Sequence, residues 1–412
     1  MDKKMVPEVR FKGFSDDWEQ HEMKEVLNKQ YNGQTPSRSK SSFWNGTIDW
    51  LTSGELNRSI VTRTNEKITS NGQKDANLKI IPKGTFVIAI TGLEAVGTRG
   101  NCALLGIDTT LNQSCMALFT DEKKLSPKFL FQWYRKYGNE YGIRYTQGTK
   151  QQSYNAEIIN KLPINLPALK EQKVINFLLS KVDIAITLQQ EKINLYIKLK
   201  KGLLQKQFAS DQEKVPKIRF FNFHENWEQR KLEKMIDLFS GLTYSPNDIK
   251  SSGTFVLRSS NIKSGNIVNA DNVYVDNKVV NSSNVIRGDI IVVVRNGSRA
   301  LIGKHALVQK SMPETVIGAF MTGIRSATPS FTNSLLDTQK FKKEINRNLG
   351  STINQITNGS LKKMSFNVPN SLEEKSKIGT SFEIINKIIV MEQERLNELT
   401  SIKKYLLQKL FI

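Results

Sequence analysis

Residues 6–20 read VPEVRFKGFSDDWEQ, and residues 215–229 read VPKIRFFNFHENWEQ. The two stretches agree at Val, Pro, Arg, two Phe, Trp, Glu and Gln. A second pair lies further along each half, where residues 200–208 (KKGLLQKQF) return as residues 403–411 (KKYLLQKLF). Each copy therefore opens on a Trp-bearing segment and closes on an apolar helical one. A chain that repeats itself in this order predicts two matching units related by a pseudo-twofold axis, a symmetry suited to a symmetric target such as duplex DNA.

Working outward, the core of each half repeats as well. Residues 79–92 (KIIPKGTFVIAITG) are a turn followed by a continuous apolar run, the pattern of a buried strand. Residues 284–297 (NVIRGDIIVVVRNG) answer them, with Gly288 in the place of Gly84. Gly100-Asn101-Cys102-Ala103-Leu104 likewise corresponds to Gly303-Lys304-His305-Ala306-Leu307. The stretch 27–144 is rich in Gly, Asn, Thr and β-branched residues and reads as strands and long loops. Residues 148–167 and 350–369 match without a gap, sharing a Gly-Thr/Ser turn, a hydrophobic/polar alternation and a closing Pro.

Each of those prolines precedes a long helical pattern. Ile175, Leu179, Val182, Ile186, Gln189, Ile193, Tyr196, Lys200 and Leu203 step by fours and threes. Ile378, Phe382, Ile385, Ile389, Glu392, Leu396, Leu399, Lys403 and Leu406 do so in register. This is the seam of a coiled coil, on helices of about 40 residues or roughly 60 Å. A twofold axis perpendicular to the helices makes the pairing antiparallel. The polar pairs Gln189/Glu392 and Lys200/Lys403 then fix register, or else mark exposed positions on a looser segment. The expected fold is mixed α/β: two similar recognition domains, 1–166 and 210–368, separated by helices at 167–209 and 369–412.

The chain has 412 residues, with 60 Lys+Arg against 39 Asp+Glu and a formal charge of +21. Such a balance favours a polyanionic partner over a basic surface of no specific role. The first residues, MDKKMVPEVRF, carry no signal-peptide core, and no run of 18 apolar residues occurs, so a soluble cytoplasmic protein is expected. Asn296-Gly297-Ser298 matches a glycosylation pattern that has no meaning without secretion. Two cysteines (Cys102, Cys115) and three histidines (His21, His224, His305) are too few for a disulfide framework or a zinc cluster.

Catalytic patterns fail one by one. Gly92-Leu93-Glu94-Ala95-Val96-Gly97 has Walker-like spacing, but Thr98-Arg99 stands where Lys-Ser/Thr must hold phosphate and Mg²⁺. No Gly-x-Gly-x-x-Gly follows a predicted strand, and no nucleophile elbow surrounds a Ser or Cys. The Asn/Asp-Pro-Pro-aromatic tetrad of amino-methyltransferases is absent, as is an Asp followed by Glu-x-Lys of the nuclease type.

A reader of DNA remains. Arg, Lys, Asn and Gln contact base edges in the major groove, and the loops supply them: Arg58, Arg63, Arg99, Asn112, Gln113, Lys150 and Gln151 in the first half, and Arg258, Arg295, Asn296, Arg299, Lys304 and Arg325 in the second. Phosphate contacts come from the basic surface generally. Trp18 and Trp227, identical in both halves, suit a shared scaffold better than base stacking.

These features resemble the specificity subunit of Type I restriction-modification enzymes, over essentially the whole chain. The resemblance rests on the doubled Pro-x-x-Arg-Phe-x-x-Phe-x-x-x-Trp opening at residues 7–18 and 216–227, and on Leu-Pro-x-Leu-x-Glu-Gln at residues 166–172. The second copy departs at residues 368–375, with one added residue and Lys375 in place of the Gln. The resemblance implies a bacterial, non-catalytic subunit whose two target-recognition domains each bind one half of a bipartite asymmetric DNA site. Its helices would set the spacer and seat two methylation subunits, joined by two restriction subunits in the full complex. S-adenosylmethionine, ATP and Mg would belong to those partners, with no cofactor in this chain. The alternatives are a stand-alone DNA methyltransferase or endonuclease with an unrecognised site, and a coiled-coil interaction scaffold.

Overall fold

The computed structural model describes residues 5–146, 152–350 and 354–412. They gather into two compact units: the chain up to Gln189 together with Arg395–Ile412, and Gln190–Glu394. These limits differ from the domain limits read from the sequence, because each unit takes in part of both long helices, Leu169–Lys206 and Leu372–Lys409.

In the first unit the main sheet runs Leu27–Asn32, Cys115–Thr120, Phe86–Ala89, Cys102–Leu105, with Ser59–Val61 added in parallel at the edge. In the second it runs Ile236–Ser240, Met321–Ser326, Ile290–Val293, His305–Leu307 in the same order and all antiparallel. The matched glycines do what their alignment requires. Gly84 (φ 87°) and Gly288 (φ 98°) take a left-handed turn that costs other residues a Cβ clash, and a core strand begins two residues after each. Phe86–Ala89 and Ile290–Val293 are buried along their whole length, as their unbroken apolar runs predict. Helix Pro127–Arg144 packs on the first sheet. In the second unit Pro329–Leu336 and Gln339–Asn348 occupy the corresponding stretch of chain, separated at Thr338, whose hydroxyl caps the second helix through Phe341 N.

A smaller sheet sits beside each main one and contains a matched parallel pairing in both units: Trp50↔Thr110 and Leu51↔Leu111, answered by Val256↔Val316 and Leu257↔Ile317. At the crossing to the main sheet the backbones nearly touch. A Cβ on Gly33 would lie 2.1 Å from Leu111 O, and one on Gly241 would lie 2.1 Å from Gly318 O. Only glycine fits at either point.

The alternating segment before each closing proline becomes a strand that pairs with the residues after the Trp motif. Glu19–Glu22 pairs antiparallel with Pro163–Leu166, and Glu228–Lys231 with Ser365–Val368. This clamp fixes where each long helix leaves its unit.

Candidate nucleic-acid interface

The repeated motif builds an anchor rather than a contact surface. Arg10 makes a bidentate pair with Glu171, both contacts 2.8 Å, and Arg219 pairs with Glu374 at 2.8 and 2.9 Å. Both carboxylates are 1 % exposed, so the fork of the guanidinium supplies what water no longer can. Trp18 and Trp227 are each 3 % exposed. Trp18 packs edge-on against Phe129 and Phe411; Trp227 packs against Phe208 and donates its indole N–H to Glu374. Buried in this way, neither ring is a base-stacking platform. The signal for the Arg–Glu tie was present in the sequence, since both partners recur at matched positions.

Gln172 holds the end of the motif in the first unit, accepting from Ser126 N and donating to the carbonyls of Lys124 and Pro167. Lys375 in its place is buried in the second unit, and that burial, with Arg230 near by, lowers its pKa.

Hydrogen-bond accounting sorts the sequence-derived DNA candidates. Arg58 donates to Arg99 O, and Arg99 donates to the carbonyls of Leu93 and Glu94. Both tie their own loop together. Arg325 pairs with Asp289, which is 1 % exposed, also donates to Asn284 O, and lies over the Phe239 ring. Arg258 donates to Asp271 O. Asn112 is buried and accepts from Ser114 N. The Asn296 amide is spent on the Ser259 hydroxyl and Ser298 N. A guanidinium or amide engaged in this way has fewer donors left for a base, so the geometry makes these residues loop fasteners first. Gln113 is exposed and accepts from the Thr35 hydroxyl. Arg63, Arg295 and Arg299 are exposed and Lys304 half-buried, and among the described residues none has a side-chain hydrogen bond or ion pair. Lys150 and Gln151 lie outside the described residues.

Sequence reasoning missed two aromatic–arginine arrangements. Arg38 lies 3.8 Å over the Trp44 ring and closes both arms of its fork on Glu66, whose pKa that hydrogen bond lowers. Arg295 lies 5.0 Å over Phe320, a ring that is 52 % exposed. Phe320 sits in a tight turn, where no periodicity flags it.

Segments of the two long helices pack together inside each unit. Every seam residue named above is buried or half-buried. In the first unit Asp183 receives Lys403 (2.6 Å), Arg135 (2.6 Å) and the Gln132 amide (3.0 Å), while Ile175 and Leu179 share a core with Leu410 and Phe411. In the second, Lys192 pairs with buried Glu392 at 2.8 Å, and Phe208, just past the helix end, meets Phe382. Positions rise on one segment as they fall on the other, so the segments are antiparallel in both units. The polar seam positions are thus not loose: Lys403 holds Asp183, and Lys200 holds Asp337 at 2.7 Å. A second set of apolar residues faces outward, namely Phe177, Ile184, Leu188 and Ile402 in the first unit, and Leu195, Leu199, Ile384 and Met391 in the second.

Both cysteines are buried. Burial pushes the Cys102 thiol up to about 12 and raises that of Cys115 as well, so neither is a thiolate at neutral pH. No helix among the described residues is long and apolar enough to cross a membrane.

A family model described as the Type I restriction modification DNA specificity domain matches residues 15–199 and again 224–401. The chain is 24 % identical over 329 residues to the MjaVIII Type I restriction enzyme specificity subunit of Methanocaldococcus jannaschii, covering 76 % of each chain. It is 28 % identical over 162 residues to an Escherichia coli Type I specificity subunit, covering 38 % of this chain and 39 % of that one. Its fold is that of the S subunit of a Type I restriction-modification system from M. genitalium, with a TM-score of 0.67 at 14 % identity over 99 % of both chains.

Proposed function

The chain belongs to the Type I restriction-modification DNA specificity family, and from that premise we propose that each unit reads one half of a bipartite, asymmetric DNA sequence while the long helices set the distance between the halves. As a specificity subunit it is not itself the enzyme, and catalysis lies in separate subunits. The readings as a stand-alone nuclease or methyltransferase, or as a bare scaffold, fall with that membership.

The observation that carries the proposal is a repeated frame with unrepeated loops. Strand order, clamp strands, Arg–Glu ties and buried Trp recur in both units. The candidate readers on the loops do not: Arg63, which stands free, and exposed Gln113 in the first unit, and Arg295, Arg299 and Lys304, which stand free, in the second. One frame bearing two sets of donors suits two different half-sites, while the excess positive charge supplies sequence-independent affinity. Lys150 and Gln151 join this set on sequence grounds alone.

The outward apolar residues of the helices are the surface on which we place two methylation subunits, with two restriction subunits joining the full complex. S-adenosylmethionine, ATP and Mg are assigned to those partners, and the protein works where DNA is, in the cytoplasm. Selection of duplexes from a random library by the full-length chain tests the reading. Two conserved blocks separated by a spacer of fixed length and no sequence are expected, together with adenine methylation only when a methylation subunit is added. Retention of no sequence, or methylation by the chain alone, refutes it.

A further inference from the structure

We propose that Arg295, steadied on the exposed ring of Phe320, reads a guanine in the half-site of the second unit. This rests on the reading of the chain as a binder of a bipartite sequence. Arg295 follows the fully buried core strand Ile290–Val293 directly, with only Val294 between. Its backbone is held from two sides: Arg295 N donates to Phe320 O at 3.1 Å, and the residue bridges to Gln355. The next residue donates from Asn296 N to Asn354 O at 3.2 Å. The Cα is therefore fixed by the core, and side chains presented from such rigid elements are aimed more accurately than those on free loops.

The side chain is aimed as well. A guanidinium stacked on an aromatic face keeps its planar fork open while giving up much of the rotamer freedom it would otherwise lose on binding. Among the described residues no oxygen accepts from the Arg295 fork, and the side chain is exposed. A charged fork of donors, pre-ordered and unspent, matches a base edge with two adjacent acceptors. In the major groove that edge is guanine O6/N7.

Two comparisons within the molecule sharpen the assignment. The first unit has the same backbone frame at this point: Ile90 N donates to Ser114 O as Val294 N donates to Phe320 O, and Thr91 bridges to Ser153 as Arg295 bridges to Gln355. Thr91 and Ser114 thus stand where the second unit has Arg295 and Phe320, so the frame is kept and the reader changed. Another arginine stacked on a ring, Arg38 on Trp44, has both arms of its fork closed by Glu66. It has the platform without the free donors.

The test uses the full-length chain and duplexes selected by the wild type, with each position of both half-sites varied in turn. Arg295→Lys keeps the charge and loses the fork. Preference for guanine at one position of one half-site is expected to fall by about 5- to 150-fold, with the other half-site unchanged. Phe320 is a positioning residue: Phe320→Leu should lose part of the same discrimination at the same position, and Phe320→Tyr should restore it. Both residues are exposed, and unchanged melting of the variants separates these effects from misfolding. An Arg295→Lys protein that keeps every base preference overturns the proposal, as does an Arg295→Ala protein that weakens equally for all sequences, the mark of a phosphate contact. A wild-type chain that selects no bipartite sequence removes the underlying reading and this proposal with it.

Discussion

Replacing Phe411 with alanine tests whether the first unit is completed by the segment that follows the second unit in sequence, residues 395–412. Phe411 is 2 % exposed and packs at 5.3 Å on Phe129 and 6.3 Å on Trp18, while two residues earlier Lys409 O accepts from Val9 N. Truncating a buried Phe costs about 3–5 kcal/mol, as lost transfer energy plus the cavity left behind. For a unit of about 200 residues each kcal/mol lowers Tm by about 2–4 °C, so a drop of about 10 °C is expected. The assay reports on one unit selectively. Of five tryptophans, Trp18, Trp44, Trp50 and Trp133 belong to the first unit and Trp227 to the second. Unfolding followed by tryptophan emission should therefore shift strongly for Phe411→Ala and weakly for Phe208→Ala, which opens the equivalent slot against Trp227. Equal shifts, or none for Phe411→Ala, would refute the assignment of the two slots.

Four residues added to the helix near Gln189 lengthen it by about 6 Å, against roughly 3.4 Å per base pair, so the selected spacer should change by one or two base pairs with both half-sites kept. An unchanged spacer counts against the helices as a ruler. Among the described residues Arg325→Ala leaves the buried Asp289 carboxylate with the Ile286 N–H alone, and it should cost roughly 2–4 kcal/mol in denaturant melts without altering any single base preference. Lys375→Gln restores the residue of the first copy and removes a buried ammonium; the melting temperature should rise by a few degrees, and a fall would show that the ammonium is needed. Glu66, held by Arg38, has a carboxyl pKa below its ordinary 4.5. The pair's contribution is thus full above pH 4.5 and lost as pH falls through the lower folded value. Emission of Trp44 should change in that acid window, and Glu66→Gln should abolish the step.

The frame was legible in the sequence because repetition exposes what both halves must keep. Gly84 and Gly288, the apolar runs after them, and the two long helices all reappear where their spacing put them, since a left-handed turn, a buried strand and a helix each demand particular residue types. The candidate readers were harder. Arg99 and Arg295 look alike as arginines flanking an apolar strand. One donates to the carbonyls of its own loop and the other stands free on a ring. Only loop conformation separates them, and no periodicity encodes it. The membership of each unit was also hidden, because helical spacing does not reveal that residues 395–412 pack with the first half of the chain.

That packing has a consequence for the order of synthesis. The aromatic slot formed by Trp18 and Phe129 is translated early, but its filler, Leu410 and Phe411, follows only after all of 190–394. At about 5–20 residues per second the slot waits some tens of seconds. During that interval a near copy of its filler is already present, since KKGLLQKQF at residues 200–208 precedes KKYLLQKLF at 403–411. Two like segments thus end in different cores: Phe208 rests on Trp227 of the second unit, while Leu410 and Phe411, which complete the first core, follow it by about 200 residues of chain.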